Sequence, residues 1–99
     1  MLVIIWEYLV SSDNAEAFEQ IYSGGGDWAK LFSTSDGYLG TSLLHDATGA
    51  GRYLTLDRWS SREAFDAFHA AFPDEYAALD ARCQELTENE RKLGEFEGE

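Results

Sequence analysis

Residues 37–59 read GYLGTSLLHDATGAGRYLTLDRW, and this stretch decides the fold. Two runs rich in Leu, Tyr, Thr and Trp flank the sequence ATGAG at residues 47–51. Glycines in a short loop between two such runs are typical of a β-hairpin. The pattern therefore predicts that residues 38–46 and 52–59 form the two central strands of one antiparallel sheet.

The segment before the hairpin supplies a strand and a helix. Residues 2–10, LVIIWEYLV, are almost continuously hydrophobic. This favours a strand buried on both faces, although a buried helix has the same pattern. Asp13 and Glu16 have the spacing of a capping box, which predicts that a helix begins there.

The segment after the hairpin predicts two helices and a last strand. Ser60 and Glu63 form a second capping box, and Pro73 ends that helix and starts the next. Residues 88–96 could extend the last helix, but their pattern favours an edge strand, with residues 97–99 frayed. The order β, α, β, β, α, β predicts a single domain over residues 1–99, a ferredoxin-like α+β sandwich with a four-stranded antiparallel sheet.

Composition excludes several functions. Nineteen acidic residues against seven basic ones give a formal charge of −12, which argues against nucleic acid and anionic membranes as partners. The apolar N-terminus lacks the positive start of a signal peptide and is too short to span a bilayer, so a cytoplasmic protein is expected. The single cysteine, Cys83, permits no internal disulfide, and no His or Cys cluster has zinc spacing, so no metal site is predicted.

Alternation along the strands predicts a dimer. In the second hairpin strand, Leu54 and Leu56 are the apolar set expected to pack on the helices. The opposite set would then lie on an uncovered face; it comprises Tyr53, Thr55, Asp57 and Trp59. A monomer rarely exposes such a surface. We therefore predict a homodimer whose sheets enclose Thr41, His45, Thr55, Asp57 and Glu7. Asp57 either pairs with Arg52 or Arg58 or is a cavity carboxylate.

The chain resembles the antibiotic biosynthesis monooxygenase family of dimeric α/β-barrel proteins. The resemblance is carried by residues 26–32 (GDWAKLF), 37–41 (GYLGT) and 52–59 (RYLTLDRW), by the strand around Trp6, and by Phe65, Tyr76, Leu79, Asp80, Cys83, Leu86, Thr87, Leu93, Gly94 and Phe96. It implies the dimeric barrel. Characterised members of the family include enzymes for cofactor-independent oxidation of polyphenolic aromatics, quinol oxygenation and haem degradation, which the resemblance offers as candidate activities.

One position departs from the family pattern W-x-S-x-E-A-F-x-A-H. Trp59, Ser61 and Glu63 match it, but Phe68 stands where the histidine would fall. His69 follows one residue later, which is about 100° around a helix. This departure argues against chemistry that depends on that histidine, haem ligation included.

The candidate site combines proton acceptors with aromatic surfaces. His45 or Asp57 would take a proton from the substrate. Trp28, Tyr53 and Trp59 could stack on a planar ring, or be core and interface residues. The polar residues expected to line the interior are Thr41, Thr55, Glu7 and His69. The simpler explanation of His45 is a solvated residue at the end of a strand, and that of His69 is a helix residue hydrogen-bonded to a backbone carbonyl or water.

Three functions follow from the resemblance and the candidate site. The first is a monooxygenase that uses neither a metal nor a bound organic cofactor and acts on an aromatic small molecule. The second is a non-catalytic dimeric barrel that binds a small metabolite or serves as an interaction domain. The third is haem degradation.

Overall fold

A computed structural model describes all 99 residues. The strands and helices, in chain order, are β1 (Leu2–Leu9), α1 (Ala15–Tyr22), α2 (Asp27–Phe32), β2 (Tyr38–His45), β3 (Arg52–Trp59), α3 (Arg62–Ala71), α4 (Pro73–Cys83) and β4 (Asn89–Glu97). Each helical position of the predicted βαββαβ order thus holds two consecutive helices. The ferredoxin-like α+β fold is confirmed, and so is the late strand β4.

The four strands form one antiparallel sheet with the order β2-β3-β1-β4. The hairpin of β2 and β3 forms as predicted, but β2 lies at the edge of the sheet and not at its centre. The central strands are β1 and β3, with Tyr8 opposite Tyr53 and Trp6 opposite Thr55. The helices bury one face of β1, with Leu2, Ile4 and Tyr8, whereas Val3, Ile5 and Leu9 lie on the opposite face. The predicted burial on both faces is therefore not seen in the single chain.

The helices cover one face of the sheet, and the predicted orientation of β3 is wrong. Tyr53, Thr55 and Trp59 are 1%, 3% and 0% exposed, so this set packs under the helices. Trp59 contacts the rings of Phe65 and Phe68. Large aromatic rings bury more surface against the helices than leucines would. Leu54 and Leu56 therefore lie on the opposite, uncovered face, which we call the open face.

A bulge in β2 changes which of its side chains face the helices. Tyr38 pairs with Trp59 and Gly40 with Arg58, so Leu39 is the extra residue. Gly40 has φ +135°, a backbone conformation that other residues rarely adopt. The bulge brings Tyr38 to the same side as Thr41, where its ring packs on Trp59 at 5.3 Å between centroids.

The ends of the helices differ in detail from the predicted capping boxes. Ser61, and not Ser60, caps α3, because its Oγ accepts a hydrogen bond from the Ala64 backbone N–H at 3.1 Å. A 3-10 turn over Ser12–Asn14 precedes α1, and no side chain caps that helix. None of the helices is both long enough and apolar enough to cross a membrane.

Candidate functional site

A cavity lies between the sheet and the helices, and its walls are mostly aromatic. The aromatic residues that line it are Trp6, Tyr8, Tyr22, Trp28, Phe32 and Tyr76. The polar residues that line it are Thr41, Thr55, Asp57, Asp80 and Glu90. Ligand sites have this composition: mainly apolar walls with a few polar groups that fix orientation.

The cavity is narrow. The space between the protein atoms measures about 460 Å³ when its opening to solvent is included. A water molecule can place its centre in only about 50 Å³ of this space. Small-molecule sites measure roughly 300–1,000 Å³, so the water-accessible part is well below their range and a ligand would also occupy the opening. Tyr8, Trp28 and Thr55 are buried, whereas Trp6, Tyr76 and Asp80 are half-buried and Glu90 is exposed at the opening. A narrow, aromatic-walled space of this kind favours a flat ligand.

Asp57 is the largely buried carboxyl group of the cavity. The Thr41 hydroxyl donates a hydrogen bond to its Oδ1 at 2.6 Å, and the Tyr38 hydroxyl is in turn hydrogen-bonded to Thr41 Oγ1. Burial raises the pKa of Asp57 to about 6, although the Thr41 hydrogen bond and the charge of Arg58 act to lower it. Asp57 is therefore a cavity carboxylate that can accept a proton near neutral pH.

The expected ion pairs of Asp57 do not form. Arg52 binds Glu7, with 2.6 Å between Nε and Oε2, and also lies 3.5 Å from Asp46. Arg58 donates from Nη1 to the Ser42 hydroxyl at 3.0 Å. Because both guanidinium groups are engaged elsewhere, Asp57 keeps Thr41 as its hydrogen-bond partner and Oδ2 has none.

A second hydroxyl pair reaches the cavity from β1 and β3. Thr55 Oγ1 donates to the Tyr8 hydroxyl at 3.4 Å, and both side chains are buried. Burial raises the pKa of Tyr8, and the charges of Asp57 and Glu90 raise it further. Tyr8 is therefore a neutral phenol throughout the physiological pH range.

Two further carboxyl groups, those of Asp80 and Glu90, lie at the opening of the cavity. Burial and the neighbouring Asp80 raise the pKa of Glu90. Burial likewise raises the pKa of Tyr76 to about 12.

No group of three or more His, Cys, Asp or Glu side chains in the chain is arranged to hold a metal ion. All three charged groups that line the cavity are acidic.

The structure brings four of the predicted site residues to one cavity: Trp28, Thr41, Thr55 and Asp57. They meet between the sheet and the helices of a single chain, and not between the sheets of two chains as predicted. The reason is the orientation of β3, which turns Thr55 and Asp57 towards the helices. Tyr53 and Trp59 belong to the same buried layer but do not line the cavity; the Tyr53 hydroxyl is hydrogen-bonded to Glu19.

The remaining predicted site residues lie elsewhere. His45 is exposed near the end of the hairpin, and its ring stacks on Tyr53 at 4.2 Å. His69 packs against Phe65 at 4.4 Å, and burial lowers its pKa. Glu7 lies on the open face, where it pairs with Arg52 and Arg91. None of these three side chains lines the cavity.

Sequence reasoning missed most of the aromatic wall. Trp6 and Tyr8 alternate with Glu7 on β1, so their shared face could be read from the strand period. Tyr76 and Asp80 are four residues apart on α4, which places them on one side of that helix. What the sequence did not reveal is that these two faces meet at Asp57.

The sequence model of the family described as antibiotic biosynthesis monooxygenase matches residues 1–82. No protein with a curated description matches the chain.

Solved structures share the fold over nearly the whole chain. SnoaB, a cofactor-independent oxygenase from Streptomyces nogalater, has a TM-score of 0.78 at 17% identity, covering 99% of this chain and 92% of SnoaB. A candidate antibiotic biosynthesis monooxygenase from Deinococcus radiodurans has a TM-score of 0.75 at 21% identity, covering 100% and 93%. A variant of MhuD, solved with two manganese protoporphyrin IX molecules per active site, has a TM-score of 0.70 at 28% identity, covering 99% and 94%.

Proposed function

This chain belongs to the antibiotic biosynthesis monooxygenase family, and from that premise we propose that it is an oxygenase for a flat, hydroxylated aromatic small molecule. The substrate class is a polyphenol or quinol, and neither a metal nor a bound organic cofactor takes part. The observation that carries the proposal is the Asp57 carboxyl group, hydrogen-bonded by Thr41 inside an aromatic-walled cavity.

In this proposal Asp57 is the general base. Its pKa of about 6 leaves it ionised at neutral pH yet basic enough to accept a proton from an acidic phenol. Thr41 holds Oδ1, so Oδ2 is free to meet the substrate hydroxyl. Trp28 and Trp6 supply flat apolar surfaces beside the ring and exclude water from the reacting atoms.

Molecular oxygen is the oxidant, and the deprotonated ring supplies the electrons. A quinol and O2 give a hydroxyquinone and water: one oxygen atom forms the new carbon–oxygen bond, and the other leaves as water with two hydrogens of the quinol. The ring loses four electrons and O2 gains four. Asp57 returns its proton to the departing water and is regenerated.

Haem degradation is the second candidate, favoured by the 28% identity with MhuD. Two features of the structure argue against it. The position at which the resemblance places a histidine is Phe68, which is 1% exposed in the core, and the propionates of a haem would meet Asp57, Asp80 and Glu90 without a cation. A haem titration followed at the Soret band should show no protein-dependent shift; a saturable shift would restore this candidate.

We further propose a homodimer formed through the open face. Its apolar side chains, in a surface that no helix covers, are Val3, Ile5, Leu9, Leu44, Leu54, Leu56 and Phe96. Contiguous apolar surface of this kind normally marks an interface. A second copy of the sheet would bury it while leaving the cavity accessible from the helix side.

Oxygen consumption tests the proposed reaction. Purified protein is mixed with benzene, naphthalene and anthracene quinols, and uptake is compared with autoxidation in buffer. We expect wild-type turnover whose kcat/KM rises through about pH 6, as Asp57 ionises. Asp57→Asn should lower kcat by about 10²-fold or more. Asp66→Asn, an exposed change on α3, is the matched control and should have no effect.

The outcomes separate the alternatives. Wild-type uptake that Asp57→Asn leaves intact contradicts the role of Asp57. Saturable quinol binding without oxygen uptake favours the non-catalytic barrel. Absence of both binding and uptake across the series contradicts the proposed substrate class.

A further inference from the structure

Tyr8 is a buried polar side chain in the wall of the cavity. It lies on the central strand β1 and is 6% exposed. Its ring packs against the stacked rings of Phe18, at 5.2 Å between centroids, and Tyr22, at 5.0 Å. This packing fixes the ring, so the phenol oxygen has a defined position at the cavity wall.

The hydrogen-bond accounting of Tyr8 leaves one proton without an acceptor. A hydroxyl group has one donor hydrogen and two acceptor lone pairs. The Thr55 hydroxyl uses its hydrogen to donate to Tyr8, and Tyr8 has no other hydrogen-bond partner in the chain. Since Tyr8 lines the cavity, the direction left for its own O–H is towards the cavity. Tyr8 therefore has one hydrogen bond, a long one, and a hydrogen available for an acceptor inside the cavity.

We propose that Tyr8 is a catalytic residue that donates a hydrogen bond from its phenol to an oxygen atom of the bound aromatic, with Thr55 as the residue that positions it. This inference rests on the proposed function, because it assigns a second contact to the same substrate. Asp57 accepts from one substrate oxygen and Tyr8 donates to another. The ligand therefore carries an ionisable hydroxyl together with a separate acceptor oxygen, such as a carbonyl.

The role of Tyr8 follows from where negative charge develops on the substrate during the reaction. When the deprotonated ring passes electrons to oxygen, negative charge spreads to its other oxygen substituents, and a fixed donor stabilises that charge. Tyr8 keeps its proton in this role, since burial and the carboxyl groups of Asp57 and Glu90 hold its pKa far above neutral. No proton is transferred to or from Tyr8 during the reaction.

Binding of two anthracene-ring probes tests the inference. Alizarin carries hydroxyl and carbonyl groups, whereas anthrol carries a hydroxyl and no carbonyl. Quenching of tryptophan fluorescence gives both dissociation constants. Tyr8→Phe should weaken alizarin binding by about tenfold, the effect of losing one hydrogen bond, and leave anthrol binding within about twofold. Tyr53→Phe, whose hydroxyl is hydrogen-bonded to Glu19 outside the cavity, is the matched control.

Vibrational spectroscopy detects the hydrogen bond from Tyr8 to the ligand directly. The carbonyl stretch of bound alizarin should lie at lower frequency in the wild type than in Tyr8→Phe, because a donated hydrogen bond weakens the carbonyl bond. Thr55→Val should move the stretch towards the Tyr8→Phe value, and Thr55→Ser, which keeps the hydroxyl, should restore it. A purely structural role of Thr55 would not give this pattern.

The results distinguish this inference from the proposed function. Alizarin binding and a carbonyl stretch that are identical in the wild type and Tyr8→Phe overturn the role of Tyr8 while leaving Asp57 and the oxygenase untouched. Failure of the wild type to bind either probe contradicts the proposed function itself, and the role of Tyr8 fails with it.

Discussion

At Asp57 the proposed function and the stability of the fold oppose each other. Its carboxyl group is largely buried, has the Thr41 hydroxyl as its hydrogen-bond partner and forms no ion pair. Burying a charge with so little compensation is unfavourable, which is why its pKa rises to about 6. A carboxyl group acquires a pKa near neutral when its charged form is buried, and that burial lowers the stability of the folded state.

Asp57→Asn should therefore stabilise the fold at neutral pH. The group ionises near pH 3.8 in the unfolded chain and near pH 6 in the folded protein, so the folded state binds more protons between these values. Wild-type stability then falls as pH rises through this window. Above pH 7 the variant should be more stable by up to about 3 kcal/mol. At pH 4 the two proteins should be nearly equal.

Urea unfolding at pH 4 and pH 8 measures this difference. Thr41→Val is a useful comparison, since it removes the donor and should destabilise the charged carboxylate. A wild type that is as stable as Asp57→Asn at pH 8 would contradict the raised pKa. Equal gains at both pH values would indicate a packing effect unrelated to ionisation.

At the scale of elements, the hairpin turn is constrained by its contact with the end of β1. Gly49 and Gly51 have φ values of +75° and +73°. The Gly51 carbonyl accepts a hydrogen bond from the Val10 backbone N–H at 2.8 Å. A Cβ on Gly51 would lie 2.5 Å from the Val10 carbonyl oxygen, whereas a Cβ on Gly49 would meet nothing within 4 Å.

These two glycines give a matched pair of variants. Gly49→Ala should cost about 1 kcal/mol, the conformational penalty of a positive φ alone. Gly51→Ala should cost more, about 2–4 kcal/mol, because the chain must also move away from Val10. Thermal and urea unfolding measure both values. Equal losses in the two variants would show that the close approach to β1 is unimportant.

The same hairpin shows how much of the fold can be predicted from local sequence. Turn glycines at residues 47–51 and the strand period on either side are local signals, so the hairpin and its fold class could be predicted. The period divides β3 into two sets of side chains, but it does not say which set the helices cover. That choice depends on how Tyr53 and Trp59 fit Phe18 and Phe68, which are distant in sequence.

The candidate site was predictable to the same limited extent. Thr55 and Asp57 share one face of β3, so their association follows from alternation alone. The aromatic wall contributed by Tyr76 on α4 depends on how that helix crosses the sheet, which no local pattern encodes. His45 and Glu7 illustrate the converse: both are polar strand residues, yet one lies near the end of the hairpin and the other on the open face.

At the scale of the whole molecule, the charge is distributed unevenly. The chain has seven basic residues, and three of them, Arg52, Arg58 and Arg91, lie on the open face by strand register. The acidic side chains that accompany them are Glu7 and, beside Arg52, Asp46. Most of the acidic residues responsible for the net charge of −12 therefore lie away from this face. Two copies can bring these faces together without opposing their main negative surfaces.

Leu54→Lys should separate the proposed dimer into monomers. Leu54 lies on the open face between Leu44 and Glu7 in the register, and it is not part of the buried core. A second copy packed there would have to bury the new ammonium group without a free partner, because Glu7 already pairs with two arginines. Light scattering should give twice the 11.1 kDa chain mass for the wild type and a single chain mass for the variant.

Ala67→Lys is the control, since it adds the same charge on an exposed helix position. It should leave the dimer intact. A wild type that is monomeric at all concentrations would contradict the dimer, and a Leu54→Lys variant that remains dimeric would place the interface elsewhere. Because the cavity opens on the helix side, the proposed oxygenase reaction needs no residue of the open face. A folded Leu54→Lys monomer should therefore keep quinol binding within about twofold of the wild type, which corresponds to less than about 0.5 kcal/mol.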